Sequence, residues 1–80
     1  GDIVEAEDGQ QALSMIPLTN PDVIITDWNM PNVNGLEFVK TVRQTDKKTP
    51  ILMCTTEAEK SKVVEAIKAG INDYLIKPFT

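Results

Sequence analysis

Four short apolar runs punctuate the chain, and between them apolar residues recur at helical spacing. Val23-Ile24-Ile25 and Ile51-Leu52-Met53-Cys54 are continuous, the pattern of strands buried on both faces of a parallel sheet. Ile3 to Ala6 and Tyr74-Leu75-Ile76 are further short strands. In the first interval, Asp8 and Gln11 form a capping box, Ala12, Leu13 and Ile16 make an apolar face, and Pro17 predicts the stop. In the second, Asn34 and Glu37 cap a helix carrying Leu36, Phe38, Val39 and Val42, with Glu37, Lys40 and Arg43 left in water. In the third, Thr56 and Glu59 read as a capping box ahead of Val63, Val64 and Ile67, and Ala69-Gly70 supplies a left-handed C-cap. The predicted order is β-α-β-α-β-α-β, hence an α/β fold with a parallel sheet and right-handed crossovers.

Composition narrows the class. Eighty residues with 41% hydrophobic content make one small domain over residues 1–80. A chain of this length buries roughly 60–65% of its unfolded surface and has little stability to spare. A net charge of −4 argues against sequence-independent nucleic-acid binding, which needs a basic face. No apolar run approaches the roughly 18 residues of a membrane span, and nothing resembles a signal peptide. The single cysteine, Cys54, lies in an apolar run and reads as a buried, inert thiol in a reducing cytoplasm.

The candidate chemistry lies where the strands run out. Asp27 ends the run Val23 to Thr26, followed by Met30-Pro31 and Gly35. Open α/β sheets place their sites at that edge, and an Asp can form a transient acyl-phosphate. Thr55 and Lys77 end two other strands, so an acid, a hydroxyl and an ammonium come to one edge. Phosphoryl transfer asks for little beyond such positioning, electrostatic stabilisation and a divalent metal. Each residue also has an ordinary reading. An Asp at a strand end is commonly a turn former, a lone Lys is commonly solvated, and Tyr74 fits plain strand packing. Trp28 reads as a partly exposed neighbour, and Glu57, Glu59, Lys60 and Lys62 as a solvated helix face.

Asp27-Trp28-Asn29-Met30-Pro31 with Gly35, Thr55-Thr56-Glu57 after a strand, and Ala69-Gly70 with Tyr74 and Lys77-Pro78-Phe79 resemble the receiver domain of two-component response regulators. The resemblance covers essentially the whole chain and is greatest to the chemotaxis type. It implies a flavodoxin-like sheet with helices on both faces. It also implies that Asp27 accepts a phosphoryl group from a histidine kinase. Asp27 and the Asn29 carbonyl would bind Mg2+, Thr55 would be the switch hydroxyl, and Lys77 the neighbouring cation. Tyr74 would swing inward with Thr55, and the Lys77-Pro78 bond would be cis. Asn29 and Glu57 would influence hydrolysis of the acyl-phosphate. Glu57, Lys60, Val64, Lys68 and Tyr74 would form the face read by a partner such as the flagellar motor switch.

The resemblance also sets expectations about what this chain lacks. The family's first strand, with its acid pair, precedes the equivalent of Ile3, so Mg2+ is expected to bind weakly. Glu7 and Asp8 are expected on the far side of that strand. In the order 2-1-3-4-5 its removal separates Ile3 to Ala6 from Val23 to Asp27 and leaves unpaired edges. The eighty residues are therefore expected to be unstable alone, or completed by another segment or a swapped chain. The function read here is a phosphorylation-dependent switch; the alternative is an interaction module or incomplete fragment that takes no phosphate. An aspartate-nucleophile phosphatase is disfavoured, because Asn29 stands where such enzymes place a second Asp. At most, self-phosphorylation from a phosphodonor and autodephosphorylation are expected.

Overall fold

The computed structural model describes residues 2–77. The strands β1 (Ile3–Ala6), β2 (Val23–Thr26), β3 (Ile51–Thr55) and β4 (Asp73–Ile76) alternate with helices α1 (Gly9–Thr19), α2 (Gly35–Thr45) and α3 (Lys60–Ala69). All pairings are parallel, and the sheet runs β1-β2-β3-β4 in chain order. The expected gap between the first two strands is absent: Ile3 pairs with Val23 and Ala6 with Thr26. The physical reason is that strand backbone groups must be paired once water leaves, and β1 is the parallel partner its own crossover delivers. Of these two strands only β1 keeps an outer edge, the other edge of the sheet being β4.

Successive strands joined by crossovers of one hand carry their helices on one face. The contacts agree, since α1 touches α2 and α2 touches α3. Val4, Ala6, Ile24, Thr26, Ile51, Met53 and Thr55 point into that layer and are buried. Phe38, Val39 and Val42 of α2 meet them, and Phe38 is fully buried. The opposite face carries Ile3, Val23, Ile25, Leu52, Cys54 and Leu75, all exposed or half-buried. Among the described residues, helices on both faces are thus met on one face only.

Asp8 and Asn34 are the N-caps of α1 and α2, as the sequence predicts. Asp8 Oδ1 accepts the N–H groups of Gln10 and Gln11, and Asn34 Oδ1 that of Glu37. Pro17, however, lies inside α1, which ends at Asn20 in the left-handed region. A proline in the last turn costs one backbone hydrogen bond, and the helix continues past it. The third capping box does not form. Helix α3 starts at Lys60, and Glu59 makes no side-chain cap bond. Thr55 spends its hydroxyl on the Glu57 N–H at 3.2 Å instead, which turns the chain before a helix can begin. Gly70 ends α3 at φ 117°, as expected. Of that helix only Ala66 is buried, whereas Val64 and Ile67 are exposed.

Arg43 is not left in water. It donates to the carbonyls of Gly70 and Asp46 and to Asn72 Oδ1, tying α2 to the end of α3. Asp46 closes α2 by accepting from the Thr49 hydroxyl and from the Thr49 and Lys48 N–H groups, which hold its pKa down at about 2. A carboxyl depressed on folding stabilises above its unfolded pKa, and that share is lost as pH falls through the folded value. Asp46→Asn should therefore flatten the acid limb of stability roughly between pH 4 and pH 2, read by urea melts across that range.

Candidate functional site

Asp27 follows β2 directly, and the turn after it is built to hold that backbone. The Asn29 N–H donates to Asp27 Oδ1 at 3.2 Å, and Gly35 N–H donates to the Trp28 carbonyl at 2.8 Å. A Cβ at Gly35 would lie 2.2 Å from the Asp27 carbonyl oxygen, so only glycine allows α2 to start against this strand end. Beneath it, the buried Thr26 hydroxyl donates to the Asp27 carbonyl at 3.1 Å.

The ladder then delivers the other two groups. The Lys77 N–H donates to the Thr55 carbonyl at 2.8 Å, extending the β3–β4 pairing by one residue. Lys77 Nζ reaches Asp27 Oδ2 at 3.3 Å. The Asp27 carboxyl is raised by partial burial, but hydrogen bonds from Thr55, the Asn29 N–H and Lys77, and the charge of Lys77, outweigh this and leave it below its ordinary value. It is thus an anion at neutral pH. Asp27, Thr55 and Lys77 are brought together as the strand ends predict, with Thr55 fully buried and the two charged side chains partly open to solvent.

A cleft of about 470 Å3 opens here, lined by Glu5, Glu7, Asp27, Asn29, Cys54 and Lys77 among others. Glu7 was expected on the far side of a missing strand; it lies at this cleft because β1 sits directly on β2. Cys54 is half-buried rather than buried, and burial pushes its thiol pKa up, which keeps it inert. A Mg2+ ion seeks six oxygens in octahedral array. Among the described residues no group of three His, Cys, Asp or Glu side chains is placed to hold a metal. Asp27 already engages Asn29 and Lys77, so these residues do not by themselves fit the ion.

A second layer surrounds the anion. The Tyr74 hydroxyl donates to the Glu57 carbonyl at 2.6 Å, so it is not free. Asn29 Nδ2 donates to Glu57 Oε1 at 3.3 Å. Trp28 is buried, not partly exposed, and Lys62 Nζ stands 5.6 Å from its ring centroid while pairing with Glu57 Oε2 at 3.0 Å. Lys62 is therefore not simply part of a solvated helix face; its place five residues after Glu57, across a turn, carries no periodic signal in the sequence. Lys60, Val64 and Lys68 share an exposed stripe of α3 at four-residue spacing, and Glu57 and Tyr74 are half-buried nearby. The Lys77-Pro78 bond and the Phe79-Thr80 ending lie outside the described residues.

The family model for the response regulator receiver domain matches residues 2–80. A chemotaxis protein CheY homolog of Campylobacter jejuni is 52% identical over 99% of this chain and 63% of its own length. Chemotaxis protein CheY1 of Helicobacter pylori is 51% identical, over 99% of this chain and 66% of its own. The solved structure of Vibrio cholerae chemotaxis protein CheY4 superposes with a TM-score of 0.84 at 47% identity, covering 94% of this chain and 64% of that one. The chain therefore spans just under two thirds of the length of these relatives. Receiver domains in general have a flavodoxin-like fold and bind Mg2+ at an acidic site. A strand-end acid flanked by a hydroxyl and an ammonium, a family match from end to end of the described residues, and half-identical relatives together establish that this chain belongs to the response regulator receiver domain family.

Proposed function

We propose that this chain carries the phosphoacceptor of a cytoplasmic chemotaxis switch, with Asp27 taking a phosphoryl group from a histidine kinase. The single observation that supports it most is the ionised Asp27 carboxylate facing Lys77 at 3.3 Å beside the buried Thr55 hydroxyl. In the transfer, a carboxylate oxygen of Asp27 forms the new O–P bond as the P–N bond of the phosphohistidine breaks, and the imidazole leaves and takes up a proton. Lys77 offsets the charge on the phosphoryl oxygens, and Thr55 can turn its hydroxyl proton from Asp27 to them while its oxygen accepts the Glu57 N–H. A shift of Thr55 toward the phosphoryl group moves the Glu57 backbone with it, and Tyr74, which holds the Glu57 carbonyl, carries that shift toward the exposed stripe of Lys60, Val64 and Lys68. That stripe suits a protein partner such as the flagellar motor switch. The uncovered apolar sheet face is where a further segment or second chain would complete the fold. A monodisperse monomer with cooperative unfolding would count against that last point.

A second reading, an interaction module that takes no phosphate, draws on the lack of a three-acid metal group among the described residues. One experiment separates them. The protein is incubated with acetyl phosphate and Mg2+ and assayed for acid-stable, base-labile label, while Trp28 emission is followed with beryllofluoride. Label together with an emission change supports the switch. Absence of both supports the module.

A further inference from the structure

We propose that Lys62, seated over Trp28, is a positioning residue for this site, holding the Glu57 side chain by its ion pair and screening Asp27 from its charge. The inference rests on Asp27 being the phosphoacceptor and adds a determinant of its reactivity.

The contacts form a ring. Lys62 Nζ pairs with Glu57 Oε2, Glu57 Oε1 accepts from Asn29 Nδ2, and the Asn29 N–H donates to Asp27 Oδ1. Trp28, between Asp27 and Asn29 in the chain, closes the ring beneath the Lys62 ammonium. Because Trp28 is buried, it is a fixed platform for that cation. The Glu57 backbone is held at both ends, its N–H by the Thr55 hydroxyl and its carbonyl by the Tyr74 hydroxyl. Only its side chain has freedom left, and Lys62 and Asn29 decide where it points. Lys62 is the one cation paired with Glu57 among the described residues, since Lys77 is engaged by Asp27. The pairing lowers the Glu57 pKa, Lys62 first and Asn29 second, and raises that of Lys62, so both are charged at neutral pH.

A phosphodonor arrives at Asp27 as an anion. It meets Lys77 at Asp27 Oδ2, and the Glu57 carboxylate stands one residue further out, bonded to the Asn29 whose N–H holds Asp27 Oδ1. With Lys62 present the Glu57 charge is offset by the ammonium paired with it. Without it, an uncompensated carboxylate remains tethered to Asn29, beside the position where negative charge must enter.

The test is a double-mutant cycle on the eighty-residue chain, read as the initial rate of acetyl phosphate labelling in Mg2+. Lys62→Met should slow labelling by about two- to fivefold, the scale of a partly exposed ion pair. In a Glu57→Gln background the same substitution should have no effect, and raising the salt should shrink the defect. A merely structural role for Lys62 would show a loss that neither Glu57→Gln nor salt removes, and that result overturns the proposal. Equal rates for wild type and Lys62→Met overturn it as well, while leaving Asp27 as phosphoacceptor. No label on the wild type removes the phosphoacceptor reading, and this inference with it.

Discussion

Gly35→Ala should lower the stability of this chain by about 2–3 kcal/mol and shift Trp28 emission toward that of a solvated indole. The added Cβ would lie 2.2 Å from the Asp27 carbonyl oxygen, 2.8 Å from Trp28 Cα and 3.0 Å from the Asp27 carbonyl carbon. All three are backbone atoms at the end of a buried strand, so no flexible side chain can swing away. Either α2 retreats from the sheet, opening the layer around fully buried Phe38, or the Asp27 turn shifts. Both routes lengthen the Gly35 N–H bond to the Trp28 carbonyl, now 2.8 Å. For a domain of this size the loss is between about a sixth and three quarters of a total of about 4–12 kcal/mol. Urea melts followed by Trp28 emission measure it; a variant within about 0.5 kcal/mol of wild type would show that the contact is soft.

Asp27→Asn should abolish acyl-phosphate labelling, a fall of at least about 100-fold, while the fold survives. An amide oxygen is a poor nucleophile and forms no stable acyl-phosphate, so the chemistry is lost outright. Asparagine can still accept the Asn29 N–H that Asp27 Oδ1 accepts now. What disappears is the ion pair with Lys77, whose side chains are 31% and 45% exposed, and screening holds its loss below about 1 kcal/mol. The pH dependence carries a sign. The folded pKa of Asp27 is depressed, so its stabilising share is present at neutral pH and lost as pH falls through that value. The asparagine variant should thus be slightly less stable at pH 7 and slightly less sensitive to acid. Labelling gels and urea melts at two pH values together separate a lost nucleophile from a lost fold; residual label on the variant would move the acceptor elsewhere.

Much of the fold was legible because its signals are local. The strands of β2 and β3 are continuous apolar runs, the caps Asp8 and Asn34 work within one turn, and Gly70 needs only its own φ. Where a local signal failed, a tertiary demand had taken the residue. Thr55 used its hydroxyl to turn the chain at Glu57, so the box at Thr56 never formed. Arg43 was drawn from solvent by the Gly70 carbonyl and Asn72, 27 and 29 positions away. Val64 and Ile67 have helical spacing, yet α3 buries Ala66 and leaves both exposed.

The same division holds at the site. Sequence alone determined that an acid, a hydroxyl and an ammonium end three strands, because a parallel sheet with short crossovers brings such ends to one edge whatever its exact register. Tertiary structure decided the rest. It closed β1 onto β2 because backbone groups in a dry sheet must pair, and so carried Glu7 to the cleft. It also decided that Lys62 stands over Trp28 and pairs with Glu57, since a side chain's partner across a turn depends on where the helix begins, and that was settled by packing.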